Sequence, residues 1–339
     1  MSKIVLENIT KIFGERQAEA EALLAKGSSK KEILAQTGCT VGLTGINLSI
    51  PKGEFFVIIG LSGSGKSTLV RHINRLIEPT SGRILVDGED ILQKDEKSLR
   101  HFRRHHISMV FQHFGLLPHK NILDNIGYGL KIRGVDKDTV KSESRKWLKR
   151  VGLEGLEASK PHQLSGGMRQ RVGIARAFAT DPKILLMDEP FGALDPLIRG
   201  DMQKELIKLQ RDLKKTAIFI THDLDEALKL GDRIAILKDG ELVQVGSKED
   251  ILLRPADGYV RSFTKDINRG KFLTAKSVMA KAPSDLDGVN GSSKVDMDAP
   301  LMDIVKVLME NGGKDIFVTR QNRVRGLINK KDLMANISL

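Results

Sequence analysis

The feature that most limits what this chain can become is the segment Gly60-Leu61-Ser62-Gly63-Ser64-Gly65-Lys66-Ser67-Thr68, set between a continuous apolar run and a helical pattern. The run before it, Phe55-Phe56-Val57-Ile58-Ile59, reads as a strand covered on both faces, and Leu69, Val70 and Ile73 after it repeat at helical spacing. The spacing G-x-x-x-x-G-K-S has a mechanical reason. Glycines let backbone N–H groups converge on phosphate oxygens, a lysine reaches the outer phosphates, and a hydroxyl at the helix start can ligate Mg²⁺. Gly60, Ser62, Gly63, Ser64, Gly65, Lys66, Ser67 and Thr68 are therefore candidate phosphate-binding residues, with Ser67 also a candidate metal ligand.

A second apolar run, Ile184-Leu185-Leu186-Met187, ends in Asp188-Glu189-Pro190, and a third is Ala217-Ile218-Phe219-Ile220. Carboxylates at the exit of a buried parallel strand stand where ligands bind in such sheets. Asp188 suits a Mg²⁺ held through water, and Glu189 suits the orientation and polarisation of an attacking water. Strand runs separated by helical pattern imply a parallel sheet wrapped by helices. Ahead of it, Ile4, Leu6, Ile9 and Ile12 alternate with polar residues, as does Leu43 to Ile50, which predicts an antiparallel strand pair. The stretch 15–40 between them is an expected helical insert, with Ser29 and Glu32 as a capping box. Residues 98–165 read as a helical subdomain.

Composition excludes several classes. With 339 residues, 40% hydrophobic and 29% charged, the chain can bury one large core and a smaller one. No stretch has the roughly 18 consecutive apolar residues of a membrane span, and the first residues do not read as a signal peptide, so a cytosolic protein is expected. The single cysteine, Cys39, is expected to be a small buried residue. The net charge of +12 is spread among acids, and its densest cluster, Arg100 to His106, reads as a solvated helix face, with proximity to a nucleotide or anionic lipid as the alternative.

Leu164-Ser165-Gly166-Gly167-Met168-Arg169-Gln170-Arg171, about 20 residues ahead of the paired carboxylates, resembles the signature motif of ABC ATPases. Gln112 resembles the family's Q-loop, Ala193-Leu194-Asp195 its D-loop and His222 its switch histidine, and the likeness covers roughly residues 3–265. It implies an α/β P-loop fold of ABC type: a parallel sheet wrapped by helices, an antiparallel β subdomain and a helical subdomain. It also implies a homodimer in which ATP lies between Lys66 of one copy and Ser165, Gly166 and Gly167 of the other. Phe13 would stack on adenine, Gln112 would link Mg²⁺ to a membrane permease, and His222 would contact the γ-phosphate. Met168, where glutamine is usual in the family, and the insert after Phe13 resemble the branch serving glycine betaine and related quaternary amines; trimethylamine N-oxide or an amino acid is the alternative cargo. Such a subunit works at the cytoplasmic face of the membrane beside integral permease subunits and an extracytoplasmic substrate-binding protein, with no nucleic acid. DNA-repair relatives carry a coiled coil or zinc cysteines between Gln112 and the signature, and this chain carries neither. With 4% aromatic residues it has little material for a quaternary-ammonium cage, so cargo recognition falls to a partner.

The expected ATPase domain spans 1–270. After a Gly/Ser/Asp-rich stretch from Ser284 to Ser293 come a helix, two short strands and a last helix, and residues 273–339 resemble a single CBS module. The resemblance implies pairing across the dimer and sensing of ionic strength or of a bound nucleotide.

Overall fold

A computed structural model of the chain describes residues 2–112, 115–192, 194–281, 293–321 and 323–337. They fall into two compact units, Met1–Val243 and Gln244–Leu339. The division lies ahead of the boundary near 270 expected from composition.

In the first unit β1 (Ser2–Phe13) and β2 (Thr40–Pro51) pair antiparallel, with Ile4 opposite Ile50 and Leu6 opposite Leu48. The two-residue period turns Ile4, Leu6, Ile9 and Ile12 inward, and all are buried. The insert folds as α1 (Gln17–Ala25) and α2 (Lys30–Thr37). Ser29 and Glu32 close the capping box ahead of α2, and Gly38, at φ +71°, ends it. Ala20, Ile33 and Cys39 pack on Ile12 and Val41, so the lone thiol is core filling.

Next come β3 (Phe55–Ile59), α3 (Lys66–Ile73), β4 (Ser81–Val86) and β5 (Glu89–Asp90). The antiparallel sheet has the order β2-β1-β4-β5. After α4 (Glu96–His105) follows β6 (Ile107–Val110), so the stretch 98–165 is not helical throughout. Its four-residue strand, with only Ile107 and Val110 buried, is too short to show a period beside the Arg/His run. That run is also not a purely solvated face: Phe102 is buried, and Arg103 donates from Nε to the Asn74 carbonyl at 2.8 Å.

The helices α5 (Ile122–Ile126), α6 (Tyr128–Ile132), α7 (Lys137–Arg150) and α8 (Gly166–Ala179) lead into β7 (Ile184–Asp188). Then come α9 (Pro196–Leu213), β8 (Thr216–Thr221), α10 (Leu224–Leu230), β9 (Arg233–Lys238) and β10 (Glu241–Gly246). They build a six-stranded sheet of order β10-β9-β3-β8-β7-β6, in which β9, β3, β8, β7 and β6 run parallel. Every residue of β3, β7 and β8 is buried, as expected of strands covered on both faces.

The second unit holds α11 (Lys248–Leu253), α12 (Gly258–Phe263), α13 (Ala275–Val278), β11 (Ala280–Lys281), β12 (Lys294–Asp296), α14 (Leu301–Glu310), β13 (Ile316–Arg320), β14 (Arg323–Ile328) and α15 (Lys330–Ile337). Its sheet has the order β11-β14-β13-β12, with β12 parallel to β13. Four strands therefore stand where two were expected. Leu301, Ile304 and Leu308, at helical spacing on α14, are buried with Ile316, Val318 and Ile328. Residues 284–292 of the Gly/Ser/Asp-rich stretch and Asn322 lie outside the described residues.

Candidate active site

The strand register places the candidate residues together. Ile59 is opposite Thr221 across β3 and β8, and Asp188 is opposite Ile220 across β7 and β8. Gly60, Asp188 and His222 thus leave the same carboxyl edge of the sheet, where side chains from separate strands can meet one ligand.

The loop between β3 and α3 is built on tight backbone approach. A Cβ on Gly60 would come within 2.3 Å of the Leu237 carbonyl oxygen and 2.6 Å of Ser64 Oγ. Gly63 and Gly65 take φ +80° and +95°, a region where a side chain is strained. Gly65 is the N-cap of α3 and supplies no side-chain cap, so the N–H groups of the first turn stay directed into the loop. Lys66 is buried, and its ammonium donates to the Gly60 and Leu61 carbonyls, both at 2.9 Å. Burial pulls its pKa below the ordinary lysine value, while Glu189 and Asp188 act in the opposite direction. Ser64 Oγ is buried with no hydrogen-bond partner among the described residues, and Ser62 is exposed at the loop surface. Thr68 accepts from His72 Nδ1 through its carbonyl at 2.5 Å, which anchors the start of α3.

The Ser67 hydroxyl donates to Asp188 Oδ1 at 2.8 Å, and Asp188 is only 2% exposed. Its other oxygen pairs with Arg71 at 3.3 Å. Arg71 is a site residue that sequence reasoning passed over; its signal was position, four residues past Ser67 on the same helix face.

Glu189 sits at φ +42° and is held by its N–H to the Ile220 carbonyl at 3.2 Å. A non-glycine residue in that region carries strain of about 1–3 kcal/mol, which the surrounding structure must hold. The conformation turns the carboxylate toward two groups: Gln112 Nε2 donates to Glu189 Oε2 at 3.4 Å, and His222 Nδ1 lies 3.3 Å from the same oxygen. Gln112 and the His222 side chain are otherwise open to solvent.

Other candidates lie apart from this cluster. Ser165 caps α8, its side chain accepting from the Met168 N–H, and Gly166 and Gly167 form the first turn. Gly167 must lack a side chain because a Cβ would meet Ile198 Cγ2 at 2.6 Å. No hydrogen bond joins these three to the phosphate loop among the described residues. Asp195 stands at the N-cap of α9 without a side-chain cap bond; Ala193 lies outside the described residues. Phe13 ends β1 with 40% of its surface exposed, Lys11 Nζ 5.1 Å from its ring centroid and Gly42 against its edge. Gly42 was not picked out from sequence, because its contact with Phe13 joins two strands; Lys11, two residues before Phe13 on the same face of β1, could have been found from the two-residue strand period.

The donors fit a hard divalent cation: an alcohol and a carboxylate oxygen 2.8 Å apart, at the start of a helix whose amides face an anion. Among the described residues no group of three or more His, Cys, Asp or Glu side chains is arranged to hold a metal unaided, so a metal here would need further oxygen donors. A helix N-terminus, a buried lysine, an acid beside a hydroxyl and a second acid beside an amide and an imidazole form a site for phosphate-ester chemistry.

Comparison with known proteins agrees. The ABC transporter family profile matches residues 43–192. The chain is 51% identical over 323 residues to the glycine betaine/carnitine transport ATP-binding protein GbuA of Listeria monocytogenes, covering 95% of this chain and 79% of the relative. It is 44% identical to the trimethylamine N-oxide transport system ATP-binding protein TmoW of Ruegeria pomeroyi, covering 97% and 95% of the two chains. Among solved structures, the dimeric post-hydrolysis ATP-binding cassette MJ0796 bound to ADP and Pi matches with a TM-score of 0.61 and 34% identity, over 72% of this chain and 98% of the other.

Proposed function

The chain belongs to the ABC transporter family as an ATP-binding subunit, and from that premise we propose that it hydrolyses ATP to drive an importer of glycine betaine or a related quaternary amine. The observation that supports this most directly is the Glu189 carboxylate, at the carboxyl edge of the sheet beside Asp188, within reach of both Gln112 and His222. An acid so placed can orient a water in line with a terminal phosphate.

Lys66 and the amides of α3 would bind the phosphates, and Phe13 would offer its exposed face to adenine. Ser67, Asp188 (through water) and Gln112 would hold Mg²⁺, which when bound would neutralise charge on the outer phosphates. Ser165, Gly166 and Gly167 of a second copy would close the site from the other side with helix N-terminal amides, with Asp195 at the same seam. A site shared between copies is supported by the dimeric cassette MJ0796 bound to ADP and Pi, which is 34% identical to this chain. His222 would contact the γ-phosphate.

No helix among the described residues is long and apolar enough to cross a membrane. By analogy with the transport ATP-binding proteins it resembles, the subunit would act at the cytoplasmic face beside integral permease subunits, with an extracytoplasmic protein recognising the cargo and no nucleic acid involved. The 1–270 segment would be the catalytic domain. The tail from 273, read as a CBS-like module pairing across the dimer, would sense ionic strength or a nucleotide.

Co-expression with the permease and binding protein of a glycine betaine importer, followed by reconstitution in vesicles, tests the reading. MgATP should drive uptake of labelled glycine betaine, and hydrolysis should rise more steeply than linearly with subunit concentration. Uptake of trimethylamine N-oxide in place of betaine would move the cargo toward the second relative. Hydrolysis strictly linear in a monomeric protein would overturn the shared site.

A further inference from the structure

Within the second unit a cavity of about 650 Å³ lies among α11, α12 and the tight turn Arg269–Lys271. That volume suits a small organic ligand. Its lining is divided. Leu252, Leu253 and Pro255 give an apolar wall, Arg261, Lys265 and Arg269 give a cationic one, and no carboxylate lines it.

Arg269 is the unusual member, because it is only 6% exposed. Its guanidinium makes no ion pair and no hydrogen bond among the described residues, and its Nε is buried without a partner. Burial lowers its pKa with no acid acting in the other direction. Asp250 is engaged with Ser247 and Arg254, Asp257 caps α12, and Asp266 does not line the cavity. Buried charges are ordinarily paired, because an uncompensated ion out of water is costly.

The residue is held in place by its backbone. Its carbonyl accepts from the Phe272 and Leu273 N–H groups, both at 3.0 Å, and the Leu273 carbonyl accepts from Leu301 at 2.9 Å. Gly270 lies so close to α14 that a Cβ would meet Met302 Sδ at 2.7 Å. The turn is thereby locked to the helix that carries the core of the tail.

We propose that this cavity binds a small amphipathic organic anion, its carboxylate or phosphate head paired with Arg269 and its apolar body on Leu252, Leu253 and Pro255. Guanidinium is the side chain suited to bidentate pairing with either head. The rim cations Arg261 and Lys265 attract the ligand, and occupancy stabilises the second unit by mass action. Every residue that lines the cavity belongs to the second unit, and the proposal does not depend on which cargo is moved.

Calorimetric titration of the full chain with octanoate, phenyl phosphate and inorganic phosphate, with and without saturating MgATP, tests it. One or both amphipathic probes should bind at one site, unaffected by MgATP, and inorganic phosphate, which has no apolar body, should bind at least about tenfold more weakly. Binding by octanoate alone identifies a carboxylate ligand, and binding by phenyl phosphate alone a phosphate ester. Arg269→Met should cost at least about tenfold in affinity, the loss of a charge-assisted pair. Lys265→Glu, an exposed rim change that leaves the core intact, should cost about threefold or more and decides the matter if Arg269→Met fails to fold. The proposal is overturned if neither amphipathic probe binds, if MgATP displaces them, or if both variants bind as the parent does.

Discussion

The two units carry their charges in opposite ways. In the first, the buried acid Asp188 is matched by Ser67 and Arg71, and Glu189 by Gln112 and His222, all at the carboxyl edge of one parallel sheet. In the second, a sheet whose strands run from two to six residues supports a buried guanidinium with no counter-charge among the described residues. A site that meets its ligand through backbone amides must be contiguous, and a contiguous loop leaves a motif. A pocket formed by the flanks of short helices needs only single residues, and single residues leave none.

The contrast is sharpest at Glu189. Glu189→Gln should lower ATP turnover by about 10²–10⁴-fold while MgATP still binds, as rapid-quench and binding assays would show. Undiminished turnover would remove hydrolysis from this carboxylate. Lys66→Ala should instead weaken nucleotide binding itself, by about 2–5 kcal/mol in a direct titration, since the ammonium is buried where the phosphates would lie.

In the other unit, Ile304→Ala removes a fully buried side chain and should cost about 2–5 kcal/mol in unfolding free energy. Turnover per folded molecule should hold, and a parallel fall in turnover would break the separation of roles. Gly60→Ala is a smaller steric test. Its Cβ would lie 2.3 Å from the Leu237 carbonyl, which should cost about 1–3 kcal/mol of stability and loosen the nucleotide site as well.

The smallest effect is expected from His72, fully buried and with its pKa lowered mainly by that burial. The unfolded chain binds this proton more readily, so stability is complete above the ordinary histidine value near 6.5 and falls as pH drops below it. The slope is at most about 1.4 kcal/mol per pH unit for one group. Urea midpoints at pH 7.5 and 5.5 should differ, and His72→Gln should reduce the difference.

Much of the catalytic region was legible residue by residue. β3, β7 and β8 announced themselves as unbroken apolar runs because both their faces are covered, and the capping box at Ser29 and Glu32 needed only local hydrogen bonding. The strand β6 was hidden, since a four-residue edge strand shows no period, and the two-residue β5 is shorter still; β4, six residues inside its sheet, was passed over although Ile84 and Val86 are buried at a two-residue spacing. The break at 243/244 was not visible either, because the residues before 270 that join the second unit do so by packing rather than by any change of composition.

The amino-acid order alone determined the candidate site of the first unit: a glycine-rich loop with a lysine, a paired acid and a histidine, each placed just past a buried strand, because local backbone rules dictate where such groups stand. Only the folded chain decided that Glu189 would adopt a left-handed backbone and face Gln112 and His222, and that Arg71 would join Asp188. It alone also left Arg269 buried and unpaired beside an apolar wall. Those outcomes depend on contacts between distant segments, and the free energy of such contacts is set by packing, which no local pattern encodes.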